Sequence, residues 1–212
     1  MIAGVDEAGR GCIVGSMFLC VLYCKKEDEP KLRKIGVKDS KLLSPKRREE
    51  IEPEIRKMCS VKLVEVDAEE ITALMDTASL NEIEAMKIAH ALNSVKSKPE
   101  IVYVDSPDNI PKNFELRIRK YLNDRMHIIS QNKAESRFPI VAAASIVAKV
   151  ARDAQIEKIK SILGIDFGSG YTSDPRTISF LQEHAGEPEV RKYLRTKWKT
   201  LDNIKQKTLA EF

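Results

Sequence analysis

Residues 2–11 read IAGVDEAGRG, an apolar run that meets two acids and then a glycine-rich turn. The apolar residues 2–5 are typical of a buried β-strand, because short apolar runs bounded by turn residues favour that conformation. A second apolar run follows at residues 13–23. We therefore expect two strands joined by a short turn at the start of the chain, with Asp6 and Glu7 where the first strand ends.

Length and composition are those of an ordinary globular chain. The 212 residues suit one domain, or one domain with a small appendage, and the formal charge of +4 does not by itself indicate a nucleic-acid partner. A basic stretch at residues 191–207, opposed only by Asp202, is a candidate phosphate-binding surface, although such stretches are more often simply solvated. No apolar run approaches the roughly 18 residues that span a bilayer. We expect a cytoplasmic protein without a membrane partner.

The cysteines and histidines carry no metal or redox motif. The four cysteines form no C-x-x-C pair and have no neighbouring histidine: Cys12, Cys20, Cys24 and Cys59. Disulfide and zinc frameworks are therefore not expected, and a reducing compartment is the default. The three histidines lie outside every motif described below, and we assign them no chemistry: His90, His127 and His184.

Apolar runs and helical patterns alternate along the rest of the chain. Further strands are predicted at residues 61–66, 101–104 and 126–130, and helices at residues 45–58, 79–94, 113–121 and 140–163, with Asp174 capping one more. The early strands are joined by short turns and the later ones by helices. This order predicts an α/β fold, a mixed sheet flanked by helices with a small helical C-terminal extension.

Two of the predicted strands end in acids. The first runs into Asp6 and Glu7, and the strand at 101–104 runs into Asp105. Carboxylates at strand ends lie where open α/β sheets tend to place active sites. For either strand alone, a turn or capping role is the better interpretation. Two such ends in one sheet favour a shared site.

Asp153 is a third candidate, because it falls on the apolar face of the longest predicted helix together with Ile146, Val150 and Ile156. A carboxylate that faces the sheet must be paired, protonated or bound to a metal ion, since a bare buried charge is costly. Lys149 is one candidate ion-pair partner. The sequence leaves ion pairing and metal binding equally open.

Convergence of these acids would require divalent cations to balance their charge. Oxygen ligands without clustered His or Cys favour Mg²⁺ or Mn²⁺, and pairs of such ions serve phosphodiester hydrolysis. Successive strand residues point to opposite faces, so Asp6 and Glu7 can share a site only if the strand breaks at or near Glu7. Gly9 and Gly11 permit that distortion.

Five blocks of sequence carry a resemblance to a known family. They are GVDEAGRG at 4–11, KDSK at 38–41, YVDSP at 103–107, AAASIVAKV with Arg152 and Asp153 at 142–153, and GSGY with Ser173, Asp174 and Pro175 at 168–175. In this order, and across nearly the whole chain, they resemble ribonuclease HII, the type-2 ribonuclease H, in its archaeal form.

The resemblance implies a ribonuclease H-like fold with a mixed five-stranded sheet. It implies a metal-dependent endonuclease that cleaves the RNA strand of RNA–DNA hybrids. It also implies incision 5′ of single ribonucleotides embedded in duplex DNA, as in ribonucleotide excision repair, leaving 5′-phosphate and 3′-hydroxyl ends. Two Mg²⁺ or Mn²⁺ ions would be held by the catalytic carboxylates that match by position: Asp6, Glu7, Asp105 and Asp153. We expect the enzyme to be a monomer.

The resemblance also assigns six substrate-binding residues: Gly9, Arg10, Gly11, Lys41, Lys149 and Tyr171. The Gly-Arg-Gly loop would contact the ribose 2′-hydroxyl through its backbone, the tyrosine would stack at the RNA–DNA junction, and the two lysines would contact phosphate. The alternatives are an ordinary hairpin turn, a core or turn aromatic, and solvated or ion-paired lysines.

Three positions depart from the family pattern. Cys12 and Ser16 stand where prolines are usual, and Thr172 follows Tyr171 where proline or a small residue is frequent. None of them is a ligand position. The departures therefore put the rigidity of the loops in doubt and leave the chemistry untouched.

The last seven residues, 206–212, resemble the short peptide that binds sliding clamps, with the anchors Gln206, Leu209 and Phe212. We expect a sliding clamp as a partner besides the nucleic acid. The chain would then comprise a catalytic domain at 1–173, a helical extension at 174–205 and this tail.

Two other functions use some of the same residues. A different nuclease on this fold, such as a junction resolvase, would share the acids but lack the Gly-Arg-Gly loop and Tyr171. A non-catalytic module that binds nucleic acid or a clamp would not need the complete set of acids. The loop argues against the first alternative, and the acids argue against the second.

Overall fold

A computed structural model describes residues 1–37 and 42–201. Its strands are β1 (Ile2–Ala8), β2 (Met17–Cys24), β3 (Ser60–Val66), β4 (Ile101–Asp105) and β5 (His127–Gln131). They form one sheet in the order β3-β2-β1-β4-β5, in which β1 runs antiparallel to β2 and parallel to β4, and β4 runs parallel to β5. The predicted mixed five-stranded sheet is confirmed.

The helices of the described chain are α1 (Glu29–Lys34), α2 (Pro45–Met58), α3 (Ala68–Leu74), α4 (Leu80–Asn93), α5 (Pro111–Arg119), α6 (Pro139–Leu163), α7 (Pro175–His184) and α8 (Pro188–Arg191). The predicted capping box is present, because the Ser79 side chain accepts a hydrogen bond from the amide of Glu82. The Asp174 side chain likewise caps α7 by accepting from the amide of Arg176. The short helices α1 and α3 were not predicted, because six and seven residues are too few to show a helical period.

The chain divides into two compact units, each built from separated segments. The first unit comprises Met1–Ala8, Phe18–Glu65 and Ser79–Ala151. The second comprises Gly9–Met17, Val66–Ala78 and residues 152–201 of the described chain. The domain boundaries at residues 173 and 205 stay predictions.

The core of the first unit lies between the sheet and its helices. Strand β2 is buried at every position except Tyr23, and Ile51 and Ile55 of α2 are buried in the same apolar cluster as Leu22. The first half of α6 contributes Val141 and a run of alanines to this cluster. Burying each large aliphatic side chain contributes about 1.5–3 kcal/mol, so this cluster supplies much of the stability that holds the sheet.

The second unit has its own apolar cluster, in which Phe167 and Phe180 pack with ring centroids 5.1 Å apart. Ile13 and Val14, from the turn that follows β1, are fully buried in the same cluster. This packing anchors the turn, although it contains neither a helix nor a full strand.

Strand β1 does not distort at Glu7. Glu7 pairs regularly with Leu19 of β2, and the strand ends one residue later at Ala8. The break comes at Gly9, whose φ of +79° lies in the left-handed region that glycine adopts without strain. Within the described residues, no helix is long and apolar enough to cross a membrane.

Candidate active site

Asp6 lies in the middle of the sheet, on the strand that β2 and β4 flank, and it is only 7% exposed. Its Oδ1 accepts a hydrogen bond from the Glu7 amide at 2.7 Å. Burial, followed by the negative charges of Glu7 and Asp105, raises the pKa of Asp6 well above its ordinary value, and the hydrogen bonds from Glu7 and Ser145 offset this only in part. Either a proton or a cation must therefore balance part of the negative charge at this position.

Asp105 is the last residue of β4, the parallel neighbour of β1. Its Oδ1 accepts a hydrogen bond from the Ala134 amide at 2.6 Å. Burial and the charges of Glu135 and Glu7 nevertheless raise the pKa of Asp105 to about 7. The carboxyl ends of two parallel strands thus bring Asp6 and Asp105 together. Glu7 lies on a regular part of β1 and acts on both acids through its charge, without the strand break that the sequence predicted at this residue.

Glu135 is a fourth acid that the sequence analysis missed. Its side chain hydrogen-bonds to that of Asp105, and it is itself buried. Lys133, which takes φ +56° and ψ +40°, turns the chain after β5 so that Ala134 and Glu135 lie against the end of β4. The other acids could be predicted because each comes directly after an apolar run that forms a strand. Glu135 lacks this signal, since three residues separate it from Gln131, the last residue of β5.

Asp153 lies in the second unit, where its carboxylate pairs with the Arg152 guanidinium at 3.2 Å. Its side chain is partly exposed. The ion pair that the sequence analysis left open is therefore present, with Arg152 as a partner. The pKa of Asp6 and of Asp105 is raised by burial, followed by the charges of acids of the first unit.

The donor set of the first unit fits Mg²⁺ or Mn²⁺ in chemical type. Its carboxylates are hard oxygen ligands. Burial, followed by the negative charges of the neighbouring acids, raises the pKa of Asp6 and of Asp105, so a bound cation would favour their charged forms. Across residues 1–37 and 42–201, no group of three or more acids, histidines or cysteines is already arranged around a metal position.

A cleft of about 530 Å³ borders Glu135 in the same unit. Arg33 and Arg137 also line it. The Arg137 guanidinium donates to Gln131 Oε1 at 3.1 Å, at the end of β5. Two guanidinium groups in one cleft suit a ligand that carries phosphate groups, since guanidinium groups bind phosphate oxygens in pairs.

The Gly-Arg-Gly loop, residues 9–11, belongs to the second unit. A Cβ atom on Gly9 would lie 2.6 Å from the backbone oxygen of Ser16, so no larger residue fits there. Gly9 is buried, Arg10 is half-buried and Gly11 is exposed. The loop therefore presents backbone to solvent at Gly11, as close contact with a ribose requires.

The two residues that replace family prolines both add hydrogen bonds. The Cys12 thiol donates to the Gly9 carbonyl at 3.0 Å. The Ser16 amide, which a proline would lack, donates to Gln155 Oε1 at 3.1 Å, and the Gln155 amide group donates to the Ser16 hydroxyl. Cys12 thus contributes a hydrogen bond within the turn that follows β1, and Ser16 connects this turn to Gln155 of α6.

Tyr171 is half-buried and bridges to Cys12 in an isolated antiparallel pair. The Arg152 guanidinium lies 4.7 Å from the centre of its ring and also donates to the carbonyl of Ser169. Burial raises the pKa of the Tyr171 hydroxyl, against the opposing charge of Arg152, so it is a neutral donor at physiological pH. Tyr171 and the Gly-Arg-Gly loop lie together in this unit.

The remaining predicted residues have mixed outcomes. Lys149 is half-buried on α6, whereas Lys41, Gln206, Leu209 and Phe212 lie outside the described residues. In the basic stretch, Arg195 is fully buried and does not form a solvated face with Arg191. The four cysteines are free thiols, as expected.

A mixed sheet of this order flanked by helices is the fold of a ribonuclease H, and the relatives described next make this protein a type-2 ribonuclease H, a hydrolase of phosphodiester bonds. The family model described as Ribonuclease HII matches residues 3–201. A Ribonuclease HII of Archaeoglobus fulgidus is 44% identical over 212 residues, which is 100% of both chains. The chain belongs to the ribonuclease HII family, which cleaves the RNA of RNA–DNA hybrids.

Solved structures agree with this assignment. The PCNA:RNase HII complex from Archaeoglobus fulgidus contains a chain that is 43% identical, with a TM-score of 0.88 and 100% of both chains covered. Bst-RNase HIII in complex with Mn²⁺ is 20% identical, with a TM-score of 0.81 over 97% of this chain and 69% of that one. The second likeness shows the ribonuclease H fold alone.

Proposed function

We propose that this protein incises duplex DNA 5′ of single embedded ribonucleotides, as well as RNA–DNA hybrids, and leaves 5′-phosphate and 3′-hydroxyl ends. The observation that carries the proposal is the group of interacting carboxylates Asp6, Glu7, Asp105 and Glu135 in the first unit. The family membership supports the reaction class, and the Gly-Arg-Gly loop supports recognition of a single ribose.

Asp6 and Asp105 are the residues best placed to hold divalent cations, with Glu7 and Glu135 beside them. Bound Mg²⁺ or Mn²⁺ would supply charge stabilisation and activation of a water for attack on phosphorus. The Ala134 amide orients the Asp105 carboxylate, and the Glu7 amide orients that of Asp6. These fixed hydrogen bonds hold the oxygens in place before substrate binds.

We propose two roles for the second unit. The loop at residues 9–11 would contact the 2′-hydroxyl through its backbone, and Tyr171 would stack at the RNA–DNA junction, held by the guanidinium of Arg152. Lys149 of the first unit, and Lys41 from outside the described residues, would contact phosphate. A 2′-hydroxyl is the group that distinguishes the target nucleotide from its DNA neighbours.

Incision of a duplex that carries one ribonucleotide tests the proposal. The purified protein is incubated with Mg²⁺ or Mn²⁺ and the labelled duplex, next to an all-DNA duplex of the same sequence. We expect one cut on the 5′ side of the ribonucleotide, a ligatable 3′-hydroxyl end and no cut in the control. Equal cleavage of the two duplexes, or cleavage of hybrids alone, would contradict the proposal.

The identity of the fourth carboxylate needs a separate test, because the family resemblance points to Asp153 and the contacts in the first unit point to Glu135. Glu135→Gln and Asp153→Asn remove one charge each. Glu157→Gln, on the exposed side of α6, is the matched control. A variant that loses turnover by about 100-fold or more while its melting temperature is retained identifies the ligand.

We further propose that the tail at residues 206–212 binds a sliding clamp through Gln206, Leu209 and Phe212. The support is the anchor spacing, together with the 43% identical chain that was solved as a PCNA:RNase HII complex. A double substitution, Leu209→Ala with Phe212→Ala, should abolish binding to a sliding clamp in surface plasmon resonance and leave incision without clamp unchanged. Lys207→Ala is the control, and undiminished binding of the double variant would refute the proposal.

A further inference from the structure

Arg195 has an unusual position for a residue of a basic stretch, because its side chain is fully buried in the second unit. Its guanidinium donates to three backbone carbonyls: Nη2 to Gly9 at 2.6 Å, Nη1 to Arg10 at 2.7 Å and Nε to Gly15 at 3.0 Å. Nη2 also lies 3.1 Å from the sulfur of Cys12. One side chain thus binds both ends of the turn that contains the Gly-Arg-Gly loop.

Burial of this charge is unfavourable by itself. Burial lowers the pKa of Arg195, and its charge is stabilised by carbonyl dipoles together with the Trp198 ring, whose centre lies 5.1 Å from Cζ. The Arg195 backbone amide donates to Ile13 at 3.0 Å, which fixes the segment that carries the guanidinium. An apolar side chain could fill the same volume without burying a charge. It could not donate hydrogen bonds, however, and so could not fix the orientation of the three carbonyl groups that Arg195 binds.

The direction of those carbonyls determines the direction of the amides. The chain has no cis peptide bonds among its described residues, and in a trans peptide the carbonyl and the next N–H point to opposite sides. Because the carbonyls of Gly9 and Arg10 point at the guanidinium, the N–H groups of Arg10 and Gly11 point away from it. Gly11 is exposed, so its peptide is accessible to a ligand.

We propose that Arg195 is a positioning residue that sets the ribose specificity of the enzyme by holding the Gly-Arg-Gly loop with its amides turned toward the substrate. This inference rests on the proposed function, in which the loop contacts the 2′-hydroxyl. Lysine cannot replace the guanidinium, because its single ammonium lacks the planar fork that reaches three carbonyls at once.

The test compares the wild type with Arg195→Lys and Arg195→Met, and uses Arg191→Met as the matched control in the neighbouring exposed position. Dissociation constants are measured in Ca²⁺ for duplexes that contain one ribonucleotide, one 2′-fluoro nucleotide or only deoxyribonucleotides. Single-turnover incision in Mg²⁺ is measured for the ribonucleotide duplex. We expect the preference for the ribonucleotide over the 2′-fluoro duplex to fall about 10-fold or more in both Arg195 variants and to stay unchanged in Arg191→Met.

The ratio of the dissociation constants for the different duplexes distinguishes a positioning role of Arg195 from a role in stability alone. A merely structural role would weaken the affinity for all three duplexes by the same factor and leave the preference intact, and that result would overturn the inference. An unchanged preference for the ribonucleotide duplex in a folded Arg195→Lys variant would also overturn the inference.

Hydrogen exchange provides a readout that does not depend on activity. The amides of Ile13 and Gly15, which donate to Gly170 and Tyr193, should exchange faster in Arg195→Lys than in the wild type, since the turn is less restrained. If the wild type shows no ribonucleotide preference, the proposed function fails, and this exchange experiment still decides whether Arg195 holds the loop. Unchanged exchange in the variant would show that it does not.

Discussion

Gly9 combines two constraints at a single residue. Its φ of +79° disfavours any side chain, and a Cβ atom would meet the Ser16 carbonyl at 2.6 Å and Cγ of Arg152 at 3.2 Å. The turn must therefore move to accept even a methyl group. Since the loop is the proposed ribose contact, the effect should reach both stability and incision.

We predict that Gly9→Ala lowers the free energy of unfolding by more than the roughly 1 kcal/mol that a left-handed alanine costs, and reduces incision strongly. The control is Gly164→Ala, because Gly164 has φ +67° and no atom lies within 4 Å of the position that a methyl group would take there. Denaturant unfolding of both variants separates the conformational penalty from the clash. Equal destabilisation by the two substitutions would contradict the account given for Gly9.

At the scale of elements, α4 and α5 are joined by one acid. Glu82 of α4 accepts hydrogen bonds from Arg117 at 2.7 Å, Lys120 at 3.0 Å and Tyr121 at 2.8 Å. Burial opposes the charged form, but these three donors outweigh it and lower the pKa of Glu82 to about 2. The network ties the first turn of α4 to α5 and to the residues just after it.

This network predicts a pH dependence of stability. A carboxyl group whose pKa is lower in the folded state than in the unfolded state stabilises the fold above its ordinary pKa and loses that contribution as the pH falls. For Glu82 the loss should occur between about pH 4.5 and pH 2. We predict that Glu82→Gln lowers the free energy of unfolding by on the order of 1–2 kcal/mol at pH 6. The difference in this free energy between the variant and the wild type should shrink toward pH 2.5.

Urea unfolding at pH 6, 4 and 2.5 measures this difference. Glu54→Gln is the control, because Glu54 forms a solvent-exposed ion pair with Lys57 within one helix and should contribute little at any of these pH values. A difference for Glu82→Gln that stays constant with pH would show that the network does not act through charge.

For the whole molecule, the carboxylate group creates a link between stability and divalent cations. Ions that bind only the folded state raise the free energy of unfolding by RT ln(1 + [L]/Kd), where [L] is the concentration of the free ion. This gain is about 2.7 kcal/mol when [L] is 100 times Kd. The mutual repulsion of Asp6, Glu7 and Asp105 makes the folded state the form that gains from a cation. We predict that Mg²⁺ raises the melting temperature of the wild type by several degrees and that EDTA reverses the rise.

Scanning fluorimetry at constant ionic strength checks this prediction without any substrate. Asp105→Asn should melt near the temperature of the wild type in EDTA, since it removes one repelling charge, and should show a much smaller rise with Mg²⁺. An equal rise in Asp105→Asn would assign the effect to general ionic screening.

Local signals in the sequence are enough to predict the strands, the long helices and the family. Alternation, apolar runs and caps such as Ser79 are local signals, and each depends on residues a few positions apart. The acids Asp6, Glu7 and Asp105 are also predictable as candidates, because they directly follow apolar runs of the sequence and parallel strands end at one edge of a sheet.

Contacts between groups that lie far apart in the sequence depend on how the chain folds. Glu135 reaches Asp105 through a left-handed turn at Lys133, and Arg195 crosses 186 positions of sequence to bind the Gly9 carbonyl. Neither contact leaves a periodic pattern in the sequence, where Arg195 looked like one more base of a solvated stretch. Burial and direction are properties of packing, so the partners of these charges could be identified only once the chain was folded.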